Sequence, residues 1–364
     1  MDRDGKEDKS TMTLLDSVSA RLIGLPKDLD ESISKASDSY LNLEERLDAY
    51  EDIFESEVGD TSLSRARNIE RTVGLRQLYL KFEGSNPTGT QKDRIAFAQA
   101  MDALRRGYDT ITLATCGNYG AASALAAYAC GLRCLVYIPE KFSGKRLKAM
   151  KERGAEIVRV PGDYEAAVLA SQNKAKEAEL YDANPGGDNT PIQLRAYAEI
   201  AYEIYDELRD APSVVAVPVS NGTTLAGIYK GFVSLYRRGK TSRIPRFVAG
   251  SSHNKNPIVH SFVKGVDHCA DLKPHQIKET RVNEPLVNWH SIDGDHALEA
   301  VRSTGGWAAN ASDRVMLKYS KILSSEEGLN VLPASTAGLL VLLEHHRRHP
   351  LPGDRYVAVL TGRK

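Results

Sequence analysis

The sequence predicts an α/β protein whose parallel sheets are covered by helices on both faces. Apolar, strand-like runs such as LYLKFE, TITLAT and CLVYIP alternate with helical runs of ten or more residues, such as IAFAQAMDALRRG and AASALAAYACG. The chain has 364 residues, more than one hydrophobic core usually accommodates, so we expect two domains. The expected architecture is therefore a two-domain, three-layer α/β/α protein.

The same alternation continues along the chain. Further strands are predicted at EIVRV, ELYDA, SVVAVPV, RFVAG and YVAVL, and further helices at GKRLKAMKERG, YEAAVLASQNKAKEA, IQLRAYAEIAYEIYDELRD and TLAGIYKGFVSLYRRG. Residues 41–58 have helical apolar spacing and an acidic surface, which predicts a peripheral helix. Residues 1–12 are expected to form a frayed arm. Residues 252–288 have weak periodicity and give no prediction.

Composition excludes several classes of function. Lysine plus arginine and aspartate plus glutamate both number 48, and a net charge of zero argues against nucleic-acid or membrane-surface partners. The four cysteines, which are too few for a disulfide framework, favour a reduced, cytoplasmic compartment: Cys116, Cys130, Cys134 and Cys269. The charged N-terminus predicts no secretory signal, and no apolar run approaches the roughly 18 residues of a membrane span.

The first strand-to-helix junction, LYLKFEGSNPTGTQKDR, contains a lysine that could react with a ligand. Ligands of α/β sheets bind at the carboxyl ends of strands, and Lys92 stands there as a helix begins. The positive end of the helix dipole favours a neutral amine, which is the form that makes a Schiff base with an aldehyde. The alternative is a surface lysine in a charged first turn. The turn-forming NPTGT segment favours a binding role.

Two more junctions offer hydrogen-bond donors to a ligand. In TLATCGNYGAAS, Gly117 and Gly120 allow close approach of the backbone and Asn118 stands at a helix start, although an ordinary asparagine cap has the same pattern. In VVAVPVSNGTTLAGI, five residues before and at a helix start could cradle a phosphate, or form an ordinary Ser/Thr cap: Ser220, Asn221, Gly222, Thr223 and Thr224.

The last junction is the chain's end, YVAVLTGRK, which brings Thr361 and Gly362 to the same edge of the sheet. Taken alone, this segment is more typical of a terminal edge strand. The three histidines of EHHRRHP (His345, His346 and His349) end a predicted helix, where cations are favoured, so we expect no metal there.

Together these segments resemble fold type II enzymes that depend on pyridoxal 5'-phosphate (PLP), the tryptophan synthase β family, and most closely threonine synthases. EGSNPTGTQKDR is a near-complete match to the family's EGxNPTGSFKDR. TCGNYG, SNGTTLAGI, PLVNW, ALEAVRSTGG, EEGLNVLPASTAG and the closing LTG are also similar to threonine synthase segments. The resemblance extends from about residue 59 to the C-terminus.

The resemblance implies a PLP cofactor and a role for each matching residue. Lys92 would carry PLP as a Schiff base and act as the base that removes the α-proton. Asn118 would contact the phenolic oxygen, residues 220–224 the cofactor phosphate, and Thr361 the pyridine nitrogen. It also implies a homodimer, in which residues 41–94 and 189–364 form a large domain, residues 95–188 an inserted small domain and residues 1–40 an N-terminal arm.

For function, the resemblance implies a lyase that converts O-phosphohomoserine and water to threonine and phosphate. The substrate carboxylate is expected at the start of the TCGNYG helix, which assigns five residues to the substrate: Thr115, Cys116, Gly117, Asn118 and Tyr119. Lys81 matches a family lysine near the substrate phosphate, with a strand-edge surface lysine as the alternative. Thr88 and Arg195 are further candidate donors to that phosphate.

The chain departs from the family pattern at several positions. Ser62 replaces a proline, Gln91 a phenylalanine and Ser220 a glycine, changes that leave the predicted cofactor site intact. The arginine that many threonine synthases carry after Asn-Pro is absent from DANPGGDNTPIQLR. Two alternatives therefore stay open: β-replacement or β-elimination on serine, phosphoserine or threonine, and a PLP-binding protein without turnover.

Overall fold

The computed structural model of the protein describes residues 25–115 and 117–364, apart from the side chains of Lys145 and Gln276. The arm predicted for residues 1–12 and the substrate contact predicted for Cys116 lie outside these residues. In the part described, no helix is both long and apolar enough to cross a membrane.

Strands and helices alternate through most of the described chain. The strands are β1 (Leu63–Arg65), β2 (Leu78–Phe82), β3 (Thr110–Ala114), β4 (Arg133–Pro139), β5 (Glu156–Val160), β6 (Tyr181–Asp182), β7 (Val214–Pro218), β8 (Arg246–Ser252), β9 (Trp307–Ala311) and β10 (Tyr356–Leu360). The first helices are α1 (Asp30–Ser37), α2 (Leu43–Glu57), α3 (Arg67–Val73), α4 (Lys92–Arg105), α5 (Asn118–Ala129), α6 (Lys145–Glu152) and α7 (Tyr164–Glu177). They are followed by α8 (Thr190–Leu208), α9 (Thr223–Arg237), α10 (Pro257–Lys264), α11 (Gly294–Ser303), α12 (Asp313–Glu326) and α13 (Ala337–Arg348).

The strands form two sheets. A six-stranded sheet has the order β1-β2-β10-β7-β8-β9, and a four-stranded sheet has the order β5-β4-β3-β6. All pairs are parallel except β1 with β2. The inner strands β3, β7 and β10 are buried at every position, as expected for parallel strands covered on both faces. The predicted α/β class with parallel sheets is confirmed.

The chain's final strand is central and does not lie at an edge. β10 pairs with β2 on one side and with β7 on the other, so its end stands between two junctions that the sequence singled out. Beyond β10, Thr90 and Gly362 form an isolated antiparallel bridge, and Gln91 N–H donates to the Thr361 carbonyl at 3.0 Å. This pairing joins the C-terminus to the loop that precedes Lys92.

Two glycines bring α9 unusually close to α8. A Cβ at Gly231 would stand 2.7 Å from the Ala198 carbonyl oxygen, and a Cβ at Gly227 would stand 2.8 Å from the Leu194 carbonyl oxygen. An alanine at either position would force the helix backbones apart, since real Cβ atoms do not approach so closely. The close packing positions the N-terminal half of α9, which begins at Thr223, against α8.

Helix α2 confirms the peripheral helix predicted for residues 41–58. Asn42 caps its start, because the Asn42 side chain accepts from Glu45 N–H at 2.9 Å and the Glu45 carboxylate accepts from Asn42 N–H at 3.3 Å. Its inward face buries Ala49, Tyr50 and Ile53. The segment 252–288, which gave no prediction, contains helix α10 and two short 3₁₀ turns, at Pro274–Gln276 and at Glu284–Leu286.

Candidate active site

A cavity of about 400 Å³ opens where strands of both sheets end. It is lined by segments that follow four strands: residues 90–92 after β2, residues 115 and 117–119 after β3, residues 219–225 after β7, and Thr361 after β10. Loops at the carboxyl ends of parallel strands are the usual ligand site of α/β proteins. The four junctions that the sequence singled out therefore meet at one cavity.

Lys92 is the first residue of α4 and lines the cavity. Burial lowers the pKa of its amine to about 8, and the nearby Asp293 carboxylate partly opposes that shift. The lowered pKa leaves about a tenth of the amine neutral at pH 7, far more than for an ordinary lysine, and the neutral amine is the nucleophilic form.

The ring of Tyr119 faces the lysine, with its centroid 6.0 Å from Lys92 Nζ. Its hydroxyl points elsewhere: it donates to the Ala183 carbonyl at 2.7 Å and accepts from the Gln99 amide at 2.6 Å. Burial raises the pKa of Tyr119 well above its usual value of 10. Tyr119 thus offers the cavity an aromatic face and keeps its proton.

The loop between β3 and α5 ends at an open helix start. Asn118 is the first residue of α5, and no side chain caps the N–H groups there among the described residues. A Cβ at Gly120 would approach the Thr115 side chain at 2.6 Å and the Met150 side chain at 2.5 Å, so the loop packs tightly against α6. The first-turn N–H groups are free to bind an anionic ligand such as a carboxylate.

The loop between β7 and α9 ends at a second open helix start. Gly222 adopts φ +92°, a left-handed conformation that favours glycine, and no described side chain caps the N–H groups of α9. Ser220, Asn221, Thr223 and Thr224 line the cavity around this turn. Uncapped N–H groups, hydroxyls and a helix dipole form the donor set that a phosphate requires.

Asp293 supports this turn from outside the cavity. Its buried carboxylate accepts hydrogen bonds from the Thr223 hydroxyl at 2.5 Å and from the Thr190 hydroxyl at 3.1 Å. Its backbone N–H also donates to the Asn221 carbonyl at 3.0 Å. The sequence gave no signal for Asp293, because it lies 70 residues beyond Thr223 in an irregular segment.

Thr361 reaches the cavity together with Ser335. Their hydroxyl oxygens lie 3.2 Å apart, and Ser335 precedes α13 in the Pro333–Thr336 turn. Ser335 belongs to the PAST segment that resembled threonine synthases, but its hydroxyl was not predicted as a site group. Two hydroxyls therefore stand at this end of the cavity.

Three residues predicted to contact the substrate do not line the cavity. Lys81 has a side chain that is 1% exposed, and its ammonium forms an ion pair with Glu203 and donates to the Thr61 carbonyl. Thr88 is buried and gives both its hydroxyl and its N–H to the Asp93 carboxylate, at 2.7 and 2.9 Å.

The third, Arg195, lies on an exposed face of α8. These three side chains point away from the cavity because their positions on a strand, a loop and a helix set their directions. Lys81 is bound by the carboxylate of Glu203, and Thr88 by that of Asp93.

Lys81 belongs to a buried ion network beneath the site. Arg94 binds Glu83 through two hydrogen bonds of 2.6 and 2.9 Å and pairs with Glu203 at 2.7 Å. Burial raises the pKa of Glu203, but Arg94 and Lys81 outweigh it and lower that pKa to about 2. The network ties β2, α4 and α8 together under the loop that carries Lys92.

Two arginines that the sequence did not single out line the cavity. They are Arg146 on α6 and Arg281 in the segment after α10. Both lie in charge-rich stretches, where most side chains face solvent, so no sequence signal separated them from their neighbours.

The histidines at the end of α13 make other contacts. The His345 ring stacks on Trp307 with centroids 3.9 Å apart, and the His346 ring accepts from Leu351 N–H at 3.0 Å. Over the described residues, no group of three or more His, Cys, Asp or Glu side chains is arranged to hold a metal ion.

Comparison with known proteins identifies the family. The model of the family described as pyridoxal-phosphate dependent enzymes matches residues 54–362. The chain belongs to this family.

Its relatives include threonine synthases. The threonine synthase of Methanocaldococcus jannaschii is 32% identical over 291 residues, covering 79% of this chain and 70% of the relative. The threonine synthase of Bacillus sp. is 31% identical over 307 residues, covering 84% of this chain and 82% of the relative. The prediction of a PLP-dependent lyase similar to threonine synthases is confirmed.

Solved structures of this PLP-dependent class share the fold. Maize serine racemase matches with a TM-score of 0.73 and 17% identity, over 87% of this chain and 92% of that chain. The processed form of threonine deaminase isoform 2 from Solanum lycopersicum matches with a TM-score of 0.73 and 14% identity, over 94% of this chain and 86% of that chain. The predicted fold type II architecture is confirmed.

The residues of this PLP-dependent enzyme fit its cofactor. PLP brings an aldehyde, a phosphate and a pyridine nitrogen. The cavity has an amine with a lowered pKa on Lys92, an uncapped helix start at Thr223 and a hydroxyl on Thr361. The cavity thus offers a nucleophile for the aldehyde, N–H donors for the phosphate and a hydroxyl for the pyridine nitrogen.

Proposed function

We propose that this enzyme converts O-phosphohomoserine and water to threonine and phosphate. One observation carries the proposal: the amine of Lys92, with a pKa of about 8, faces a cavity that also meets the open starts of α5 and α9. One helix start can take a cofactor phosphate and the other a substrate carboxylate. The identity to threonine synthases, 32% in the first case, supports this choice of reaction.

In this proposal the cofactor is held by the residues that the motifs predicted. Lys92 binds its aldehyde carbon, Asn118 its phenolic oxygen and Thr361 its pyridine nitrogen. Residues 220–224 bind its phosphate through the N–H groups and hydroxyls at the start of α9. When bound, PLP supplies an electron sink for bonds broken next to the substrate amine. The support is that all of these residues line the cavity.

The chain's own residues supply orientation and proton transfer. The start of α5, with Thr115, Gly117 and Asn118, binds the substrate carboxylate. Tyr119 packs its ring beside the reacting groups, 6.0 Å from Lys92 Nζ, and excludes water from that side.

We assign the proton transfers to Lys92 Nζ, because a pKa of about 8 lets it accept and release a proton near neutral pH. In the overall reaction the γ-carbon loses phosphate and gains a proton, while the β-carbon loses a proton and gains the hydroxyl of water. The remaining proton of water goes to the released phosphate.

We also propose a domain organisation, an oligomeric state and a cellular compartment for the protein. We expect a large domain of residues 41–94 and 189–364, an inserted small domain of residues 95–188 and an N-terminal arm of residues 1–40. The support is that the four-stranded sheet uses strands from residues 110–182 alone. We also expect a homodimer in the cytoplasm, which light scattering of the purified protein and fractionation of cells would test.

The proposal is tested by measuring threonine and phosphate release from O-phosphohomoserine by the purified holoenzyme. Equal amounts of both products, with no phosphate released from phosphoserine, are expected. Phosphate release from phosphoserine with sulfite, and none from O-phosphohomoserine, would refute the proposed reaction and leave the cofactor site intact.

One feature of the cavity favours a second candidate, β-elimination or β-replacement on serine, phosphoserine or threonine. The arginine expected after Asn184-Pro185 is absent, and Gly186 and Gly187 follow with φ of +87° and +55°. A Cβ at Gly186 would stand 2.2 Å from the Ile292 side chain, so a larger residue does not fit there. Comparing kcat/KM for O-phosphohomoserine, phosphoserine and threonine separates the two candidates.

A further inference from the structure

We propose that Arg146 and Arg281 bind the terminal phosphate of the substrate and make the enzyme select an amino acid with an anionic side chain. This inference rests on the proposed function, because it assigns the substrate phosphate to residues other than those predicted. It replaces the arginine missing after Asn184-Pro185 with two arginines from other parts of the chain.

Arg146 reaches the cavity from the start of α6. It is half-buried and lines the same cavity as Lys92. Burial lowers the pKa of its guanidinium, and although Asp93 and Glu284 exert an attraction, neither lies within 4 Å as an ion-pair partner. Across the described residues its guanidinium makes no hydrogen bond, whereas the fully buried Arg94 is bound by two carboxylates.

Arg281 reaches the cavity from a second segment. It stands three residues before the Glu284–Leu286 turn, and both Arg281 and Glu284 line the cavity. Within the part of the chain that is described, the Arg281 side chain forms no ion pair or hydrogen bond. Arg281 is exposed and Arg146 half-buried, and both line the cavity that contains Lys92 without forming an ion pair among the described residues.

Arg146 lies on a helix that packs beside the start of α5, where the side-chain phosphate of a short amino acid bound by its carboxylate can reach it. Helix α6 packs against α5 through Met150, whose side chain meets Gly120 in the first turn of α5. Arg146 is one turn from Met150, so it lies near the helix start proposed for the substrate carboxylate. A guanidinium presents paired N–H groups that match two phosphate oxygens, and charge-assisted bonds of this kind are among the strongest in proteins.

Glu284 allows the charge preference of the cavity to be tested. Its carboxylate lines the cavity beside the two arginines and opposes an anionic ligand. Removing that negative charge should therefore tighten the binding of a phosphate. A site built for a cationic side chain would behave in the opposite way, because such a ligand would lose its partner.

The experiment uses the holoenzyme and four single variants. Arg146→Gln and Arg281→Gln each remove one positive charge from the cavity. Lys148→Gln, on α6, and Lys278→Gln, in the segment before Arg281, remove one charge each from outside the cavity and serve as matched controls. Two quantities are measured for each protein: KM and kcat for O-phosphohomoserine, and the apparent Kd of O-phosphohomoserine and of homoserine by titration of the cofactor absorbance.

We expect each arginine variant to raise KM about tenfold or more, with the Kd of homoserine unchanged, and the controls to stay within about twofold of wild type. Glu284→Gln should lower KM. Turnover with KM unchanged in both arginine variants would overturn the inference and leave the proposed reaction standing. The wild type could also bind O-phosphohomoserine more tightly than homoserine, lose that preference in Arg146→Gln, and form no threonine. That result would overturn the proposed reaction and support the inference.

Discussion

The Thr223 hydroxyl donates a hydrogen bond to the Asp293 carboxylate, with 2.5 Å between the two oxygens. Thr223 begins α9 at the turn proposed for the cofactor phosphate, and Asp293 raises the pKa of Lys92 against the effect of burial. One carboxylate thus affects both ends of the cofactor site.

Asp293→Asn should lower the pKa of Lys92 below its present value of about 8, because an attraction for the charged amine is lost. The neutral amine is the form that reacts with an aldehyde, so PLP incorporation into the apoenzyme should accelerate as pH rises through that pKa. The measurement is the rate of incorporation against pH. Its midpoint should move to lower pH in the variant, and an unmoved midpoint would exclude the coupling.

Thr224→Ala should weaken PLP binding by about 1–3 kcal/mol, the range for a lost hydrogen bond to a charged group. Thr223→Ala should weaken it indirectly, because the Thr223 hydroxyl donates to Asp293 and its loss leaves that buried carboxylate without a donor beside the phosphate turn. Thr223→Ser keeps the hydroxyl and serves as the matched control. Equilibrium dialysis of PLP against the apoenzymes checks the result. Unchanged affinity in the double alanine variant would mean that the cofactor phosphate binds elsewhere.

Lys81→Ala should reduce stability and leave KM unchanged, because the lysine is buried on Glu203 and does not line the cavity. Removing one partner of a buried ion pair costs about 3–5 kcal/mol, and Arg94 will offset part of that loss. The urea midpoint and the KM for O-phosphohomoserine should be measured together. A raised KM at unchanged stability would restore the role first predicted for Lys81.

Local pattern was sufficient to predict much of the site. The strand-to-helix alternation placed Lys92 at a helix start, and parallel strands of one sheet bring their carboxyl ends together, so the loops at Thr223 and Thr361 were expected to converge. Asn118 follows a strand of the other sheet, and the sequence motifs alone did not show that its loop meets the same cavity. The sequence did not show that β10 is a central strand. Its five apolar residues fit an edge strand or a buried one, and pairing with β2 and β7 decides between them.

The sequence did not predict which way individual side chains point. Lys81 and Glu203 are 122 residues apart, so no local pattern linked them. Arg146 lies in GKRLKAMKERG, where five of eleven residues are basic, and helical spacing alone does not identify the residue that faces the cavity. The packing of α6 against α5 determines which residues of α6 line the cavity.

Lys92→Ala should abolish both the visible cofactor absorbance and turnover, because both depend on one amine. Lys148→Ala, at an exposed lysine of α6 outside the cavity, is the matched control and should retain the absorbance. Spectra and threonine formation are recorded on the same preparations. Wild-type turnover by the Lys92 variant would refute its catalytic assignment.

The most direct test of the account is to find which lysine carries the cofactor. The holoenzyme is reduced with borohydride, which fixes PLP to the amine that binds it, and digested peptides are analysed by mass spectrometry. We expect the phosphopyridoxyl group on Lys92, in the peptide that contains EGSNPTGTQK. The same group on another lysine, with Lys92 unmodified, would contradict it.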